Sequence, residues 1–326
     1  MKIKNVLLSM LAVSAAMLTT SCENGDREFD DFDRQAVYFA YQSPVRTITL
    51  GDDVYPTDLD NAHDFEVYAT LGGVWKNKQD RKVEIAVDNS LCDGKTFEDG
   101  KPIVALPQNY YELESNQAVI EAGEIMGAVK VHLTDAFFND PKAKEVHYVL
   151  PLKIVKADAD TVLESKNYTL YAVKYKNKYT GCWLSHGTDE IDNNGKTSTN
   201  TREPEDFRKY DLRYLATTAL NQCTYALTAT VDGKEMTRNI VLTFDDKDNC
   251  TLSSADADFE VSGTGKWTRM GAPKAWGDKD RDLLELEYTA KFKNGAAYYK
   301  VSTKESLIMR DRQSKFETFN FNNLKQ

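Results

Sequence analysis

With 51 Asp and Glu among 326 residues, carboxylates are the first place to look for chemistry in this chain. Cleaving a glycosidic bond takes two carboxyl groups about 5–9.5 Å apart, and so acidic a chain brings pairs close by chance. The acids gather in turns, "TDEIDNN", "FDDKDN" and "WGDKDRD", where Asp favours loop geometry for its own reasons. Asp278-x-Asp280-x-Asp282 has the opening spacing of a calcium loop, whose oxygens must converge on a hard cation. The glycine at the sixth position and the acid at the twelfth are missing, so it reads as a solvated turn entering the strand "LLELEY". Of the four histidines, His132 and His147 take outward positions on alternating strands and His63 heads a strand. His186 lies in a polar segment with no Ser or Cys nucleophile marked beside it, and there is no Gly-x-Ser-x-Gly turn and no Walker-type loop. These residues point to no catalytic set, no cofactor and no metal.

What remains is binding. Flat aromatic rings stack on the C–H faces of sugars, and the chain has 17 Tyr, 14 Phe and 4 Trp. Trp276 sits in a Gly/Pro-rich charged connection, "MGAPKAWGDKDRD", where it is either a ligand platform or a ring tucked under its own loop. Trp75 in "LGGVWKNKQD" is a second platform candidate. Trp267 in "GTGKWTRM" alternates in a strand and reads first as core or barrel lining. Trp276, Trp75, Trp267 and His186 are thus the candidate ligand-binding residues. The balance of 41 basic against 51 acidic residues gives a net charge of −10, which argues against nucleic acid, whose binding rests on neutralising phosphates. Cys92, Cys182, Cys223 and Cys250 form no Cys-x-x-Cys pair. They read as mainly buried thiols, with room for one disulfide in the second half of the chain.

The elements that position these residues are strands. In "HDFEVYATL" the set Phe65, Val67, Ala69, Leu71 falls on one face, and in "RKVEIAVD" Val83, Ile85, Val87 do. "EVHYVLPLKIV" aligns Val146, Tyr148, Leu150, Leu152 and Ile154, with Pro151 opposite as the mark of an edge or bulge. Short alternating strands between turn residues predict an antiparallel sandwich over 35–172. After "YKNKYTGCW" comes a polar stretch without periodicity, 184–209, and then strands resume. Asp232-Gly233 and Asn294-Gly295 are hairpin turns. Successive hairpins without crossover helices predict an up-and-down barrel over 173–326. The fold class expected is all-β, a sandwich followed by an antiparallel barrel.

Three resemblances add to this. Lys2 and Lys4, the apolar run Val6 to Leu18, and "LTTSC" have the layout of a secretory signal too short to span a bilayer. The last of these resembles a bacterial lipobox. That resemblance implies a signal peptide over 1–21 and a lipid on Cys22; the alternative is an ordinary signal with a chance cysteine. Glu23, Asp26, Glu28, Asp30, Asp31 and Asp33 then form an acidic tether over 22–34, similar to the export signal of Bacteroidetes surface lipoproteins. "YYELESNQAVIEAGEIMGAVKVHLTD" and "EVHYVLPLKIVKADADTVLESKNYTLYAVKY" resemble the Ig-like module of lipoproteins in Sus-type glycan-utilisation systems. "TGCW", with Gly181 and Trp183, is similar to the Gly-x-Trp that opens lipocalin-type barrels. There the Trp plugs the closed end under a late Arg, a part that falls to Arg310 or Arg312 as a cation–π pair, and the segment 184–209 would lie at the open mouth.

Together these resemblances imply an outer-membrane, lipid-anchored, outward-facing protein without catalytic activity. Its expected partners are a glycan and Sus-type transporter components. The other readings are a partner-binding accessory with no sugar site and a lipocalin-like binder of a small apolar ligand.

Overall fold

The computed structural model describes residues 32, 34–53 and 55–323; the signal segment, Cys22 and nearly all of the acidic tether lie outside them. The strands of the first half are β1 (Ala36–Tyr38), β2 (Pro44–Thr49), β3 (Asp64–Gly72), β4 (Arg81–Val87), β5 (Lys95–Phe97), β6 (Val104–Ala105), β7 (Tyr111–Leu113), β8 (Gln117–Ile120), β9 (Met126–Leu133), β10 (Tyr148–Ala157), β11 (Thr161–Val162) and β12 (Tyr168–Lys176). The second half carries β13 (Gly181–Asn193), β14 (Lys196–Arg202), β15 (Asp211–Ala219), β16 (Gln222–Val231), β17 (Lys234–Phe244), β18 (Asn249–Ser253), β19 (Phe259–Ala272), β20 (Arg281–Asn294) and β21 (Ala297–Asp311). Two short strands end it, β22 (Glu317–Thr318) and β23 (Phe321–Asn323).

Two sheets, β11-β1-β3-β9-β7 and β22-β2-β12-β10-β4-β8, face each other in the first half. The alternation predicted for β3 and β4 holds: Phe65, Val67 and Ala69 of β3 face Val83 and Ile85 of β4 and Leu150, Leu152 and Ile154 of β10 across the core between the sheets. Pro151 differs from its expectation as an edge marker, since β10 is a central strand between β12 and β4. The missing N–H is tolerated because the β4 ladder begins only at Leu152 and the short β6 pairs with Tyr148 and Val149, leaving a break at the proline. A second apolar layer covers the outer face of the second sheet, where Val149, Leu170 and Ala172 meet Phe97, Ile103, Phe319 and Phe321.

The second half is a closed barrel. β15 to β21 pair consecutively, and β13 joins β15 on one side and β21 on the other, so eight strands close the ring. Trp183, Tyr225, Leu242, Leu284, Phe259, Phe292 and Leu307 fill the lumen with apolar side chains. Burial pushes the Cys223 thiol well up and the Cys250 thiol to about 12. Cys92, Cys182, Cys223 and Cys250 are all buried free thiols, so the disulfide allowed for in the second half is not formed.

The polar stretch 184–209 is largely strand rather than loop. β13 runs on to Asn193, turns at Asn194-Gly195, and returns as β14, paired from Asn193↔Lys196 to Gly187↔Arg202. No apolar period marks β14 because all its residues but Arg202 are solvent-exposed. The chain end leaves the barrel, contrary to a barrel domain running to residue 326: β22 pairs with β2 and β23 with β5, on the first domain.

Candidate functional site

The sandwich carries a groove of about 550 Å³ on the side where β1 reaches only Thr70–Gly72 of β3. Because Phe65, Val67 and Ala69 turn into the core, period-two alternation sends Glu66, Tyr68 and Thr70 to the other face, where they line the groove. The turn after β1 supplies Tyr41, the loop before residue 58 supplies Tyr55, and the C-terminal segment returning to β2 supplies Phe316. The rings are open to solvent, at 55% for Tyr41, 65% for Tyr55, 43% for Tyr68 and 65% for Phe316. Tyr41 and Phe316 stand 4.9 Å apart, centre to centre, tilted by 51°. Tyr171 underlies the groove, its ring 6.0 Å from core Phe65.

The polar lining is tied down. Arg46 pairs with Asp60 and donates to the Thr47 carbonyl at 2.8 Å, while the other Asp60 oxygen accepts from the Thr49 N–H at 2.8 Å. Burial raises the Asp60 pKa, opposed by the Arg46 charge and these hydrogen bonds. Tyr68 donates its hydroxyl to Glu66, which raises the phenol pKa to about 12. Lys174 holds Glu317 at 2.7 Å. A surface of open aromatic rings beside paired, oriented polar groups is suited to a ligand with both C–H faces and hydroxyls.

The tryptophans and His186 lie elsewhere. Trp276 is half-buried against an outer-wall cluster of Leu184, Ala272, Ala275 and Ile308, joined by Phe207 and Tyr210. The Arg310 guanidinium, on β21, lies over it at 5.5 Å, so the ring is packed between its own loop and the barrel wall. Trp75 is exposed and stacks with Phe32 at 6.3 Å. Trp267 lines the lumen, almost buried, with Lys178 over its ring at 4.5 Å. His186 Nδ1 bonds Glu203 at 2.9 Å and its ring lies 4.9 Å from Tyr210. Asp278, Asp280 and Asp282 do not converge: Asp280 accepts from the Lys274 N–H, and Asp282 is not solvated but buried beside Arg312 at 2.8 Å.

Trp183 is wholly buried in the barrel core and donates its indole N–H to the Tyr179 carbonyl at 3.0 Å. The arginine expected over its face takes a different part. Arg310 goes to Trp276, and Arg312 donates to the carbonyls of Asp52, Lys178 and Thr180 and to Asp282. A buried guanidinium has five N–H groups to satisfy, and carbonyls with a carboxylate do this better than a ring face. Gly181 has φ +153°, and a Cβ there would lie 2.6 Å from the Asp311 carbonyl, which accounts for glycine two residues before Trp183.

One polar cluster goes beyond what the sequence suggests. Glu305, its side chain fully shielded, accepts from Ser185 at 2.7 Å, Arg202 at 3.2 Å, Tyr225 at 3.2 Å and Tyr288 at 3.3 Å, with Arg213 at 3.7 Å. Arg202 also bridges to Asp189 at 2.8 Å. Alternation along β21 is the signal for it, since it puts Glu305 in line with Val301, Leu307 and Met309. The groove rings carry a fainter one, Tyr68 being an aromatic on the wet face of an alternating strand.

A family described as a domain of unknown function (DUF5627) matches residues 178–313, and an N-terminal-domain family matches residues 32–161. No curated protein matches the chain. Among solved structures, a structural-genomics protein of unknown function from Bacteroides ovatus shares 30% identity, over 90% of this chain and 100% of that chain, with a TM-score of 0.81. A second Bacteroides ovatus protein of unknown function matches at 18% identity, over 87% of this chain and 99% of that one, at a TM-score of 0.45. An auxiliary nutrient binding protein from Bacteroides thetaiotaomicron matches at 15% identity, over 81% and 90%, at a TM-score of 0.40. Given 30% identity along the whole length of the first of these, the chain belongs to the same family as that Bacteroides ovatus protein.

Proposed function

We propose that the chain is a non-catalytic cell-surface protein that binds glycan in the sandwich groove, as an accessory of a Sus-type uptake system. A lipid on Cys22 would hold it on the outer membrane, facing outward. The observation that carries this reading is the meeting of four open rings, Tyr41, Tyr55, Tyr68 and Phe316, in one groove with paired polar groups between them. Soluble folds expose aromatic surface of this extent mainly where something binds. Support for a non-catalytic role comes from the groove acids: Asp60 has both oxygens occupied by Arg46 and Thr49, and Glu317 is held by Lys174.

The test is a broad glycan array probed with soluble protein starting at residue 23. Three proteins are compared: the unaltered sequence, Tyr41→Ala/Phe316→Ala, and Trp276→Ala. Binding that falls at least tenfold in the double variant and persists in Trp276→Ala supports the groove. Loss in Trp276→Ala alone moves the site to the barrel wall, and silence across plant, host and microbial glycans favours an accessory that docks a protein partner.

A further inference from the structure

The groove's charges specify more than a general affinity for sugars. Three cations line it, Arg46, Lys176 and Lys315, against four carboxylates, Asp53, Asp60, Glu66 and Glu317. Each cation already has an oxygen partner. Arg46 holds Asp60 and the Thr47 carbonyl. Lys176 donates to the carbonyls of Arg312 and Gln313 at 3.2 and 3.1 Å, and Lys315 faces Glu317 at 3.5 Å. Recognition of a ligand carboxylate or sulfate calls for an open guanidinium fork or an ammonium with its donors free. The Arg46 fork is engaged inside the protein, Lys315 has Glu317 beside it, and Lys176, with two of its three N–H groups on carbonyls, keeps one donor in a lining of four carboxylates. A sugar hydroxyl, by contrast, donates and accepts at once, so it can bridge the spare capacity of a pre-formed ion pair without breaking it. The chain's net charge of −10 adds a long-range penalty for anions.

Resting on the glycan reading above, we infer that the groove takes an uncharged, hydroxyl-bearing oligosaccharide segment and discriminates against uronic-acid and sulfated glycans. At about 550 Å³ the groove holds a short segment of a chain, within the range of about 300–1,000 Å³ typical of small-ligand sites.

The experiment is titration calorimetry on the protein from residue 23, at 50 and 500 mM NaCl. The probes are neutral gluco-, manno-, xylo- and arabino-oligosaccharides, set beside oligogalacturonate, oligoglucuronate and a sulfated oligosaccharide. The expected result is binding of a neutral probe with less than a threefold change in Kd between the two salts, and at least tenfold weaker binding of every acidic probe. An acidic probe that binds tightest, weakens with salt, and is lost in Tyr41→Ala/Phe316→Ala would overturn the inference while leaving the groove as a glycan site. Binding of neither class, or binding that survives the double variant, would sink both.

Discussion

Glu305 sits among apolar side chains in the barrel, and its charge is tolerated there because Ser185, Tyr225, Tyr288 and Arg202 all donate to it. A buried carboxylate without such partners would cost several kcal/mol. Arg202 serves two acids, and its second partner makes the network testable. Burial alone would raise the pKa of Asp189, but hydrogen bonds and charge from Arg202, with Thr303 and Asn200, hold it below its ordinary value. Since the folded pKa is depressed, the stabilisation is full above the unfolded value of about 3.9 and fades as pH falls through the folded pKa. Thermal melts from pH 7 down to pH 2.5 should therefore show Asp189→Asn less stable than the unaltered protein at pH 7, with the gap closing below pH 4. A gap that stays constant with pH would show that Asp189 acts through packing and not through its charge. Residues of this kind are only half legible in a sequence. Alternation tells that Glu305 points inward, but its partners come from five other strands.

The strand that organises the barrel is β13, which changes neighbour along its length. Residues 181–185 pair with β15 and residues 187–193 with β14, while β21 runs along the other side throughout. The exchange falls at Gly187, where φ is +151° and a Cβ would stand 2.1 Å from the Lys304 carbonyl. Gly187→Ala should push β13 from β21 and strain the backbone, lowering stability by about 1–3 kcal/mol. Urea unfolding measures this, and a midpoint unchanged from the parent would refute the claim that close approach fixes this glycine. The strands with apolar alternation are legible in the amino-acid sequence, as are the hairpins at Asp232-Gly233 and Asn294-Gly295. The β13–β14 hairpin is not, because its outer strand faces water and leaves no period. Asn194-Gly195 is the one turn signal inside it. The groove escapes sequence reasoning for a related reason. Its rings are contributed by segments distant in sequence, around residues 41, 55, 68 and 316, and no local window contains the pattern.

Across the whole molecule, Arg312 ties the two domains together. Its guanidinium, 1% exposed, reaches the Asp52 carbonyl of the sandwich and the Lys178 and Thr180 carbonyls and Asp282 of the barrel. Arg269 adds an exposed bridge to Asp52 at 2.6 Å. Arg312→Ala should leave Asp282 buried without its counter-charge, costing the barrel about 3–5 kcal/mol. Scanning calorimetry should then resolve a barrel transition below that of the sandwich; a single transition at the parent temperature would show that the domains do not communicate through this residue. The residues just beyond Arg312 have another effect. Phe316 forms one wall of the groove, and Glu317–Thr318 pair with Pro44 and Val45 at the start of the open edge of β2. A chain made from its amino terminus must therefore finish its first domain last. Until residue 318 has been synthesised, Pro44 and Val45 of β2 lack their strand partner and the groove lacks the wall that Phe316 supplies. A chain cut short after the barrel would keep nearly all its mass, yet lose one wall of the groove and leave more of the β2 edge open to edge-to-edge association.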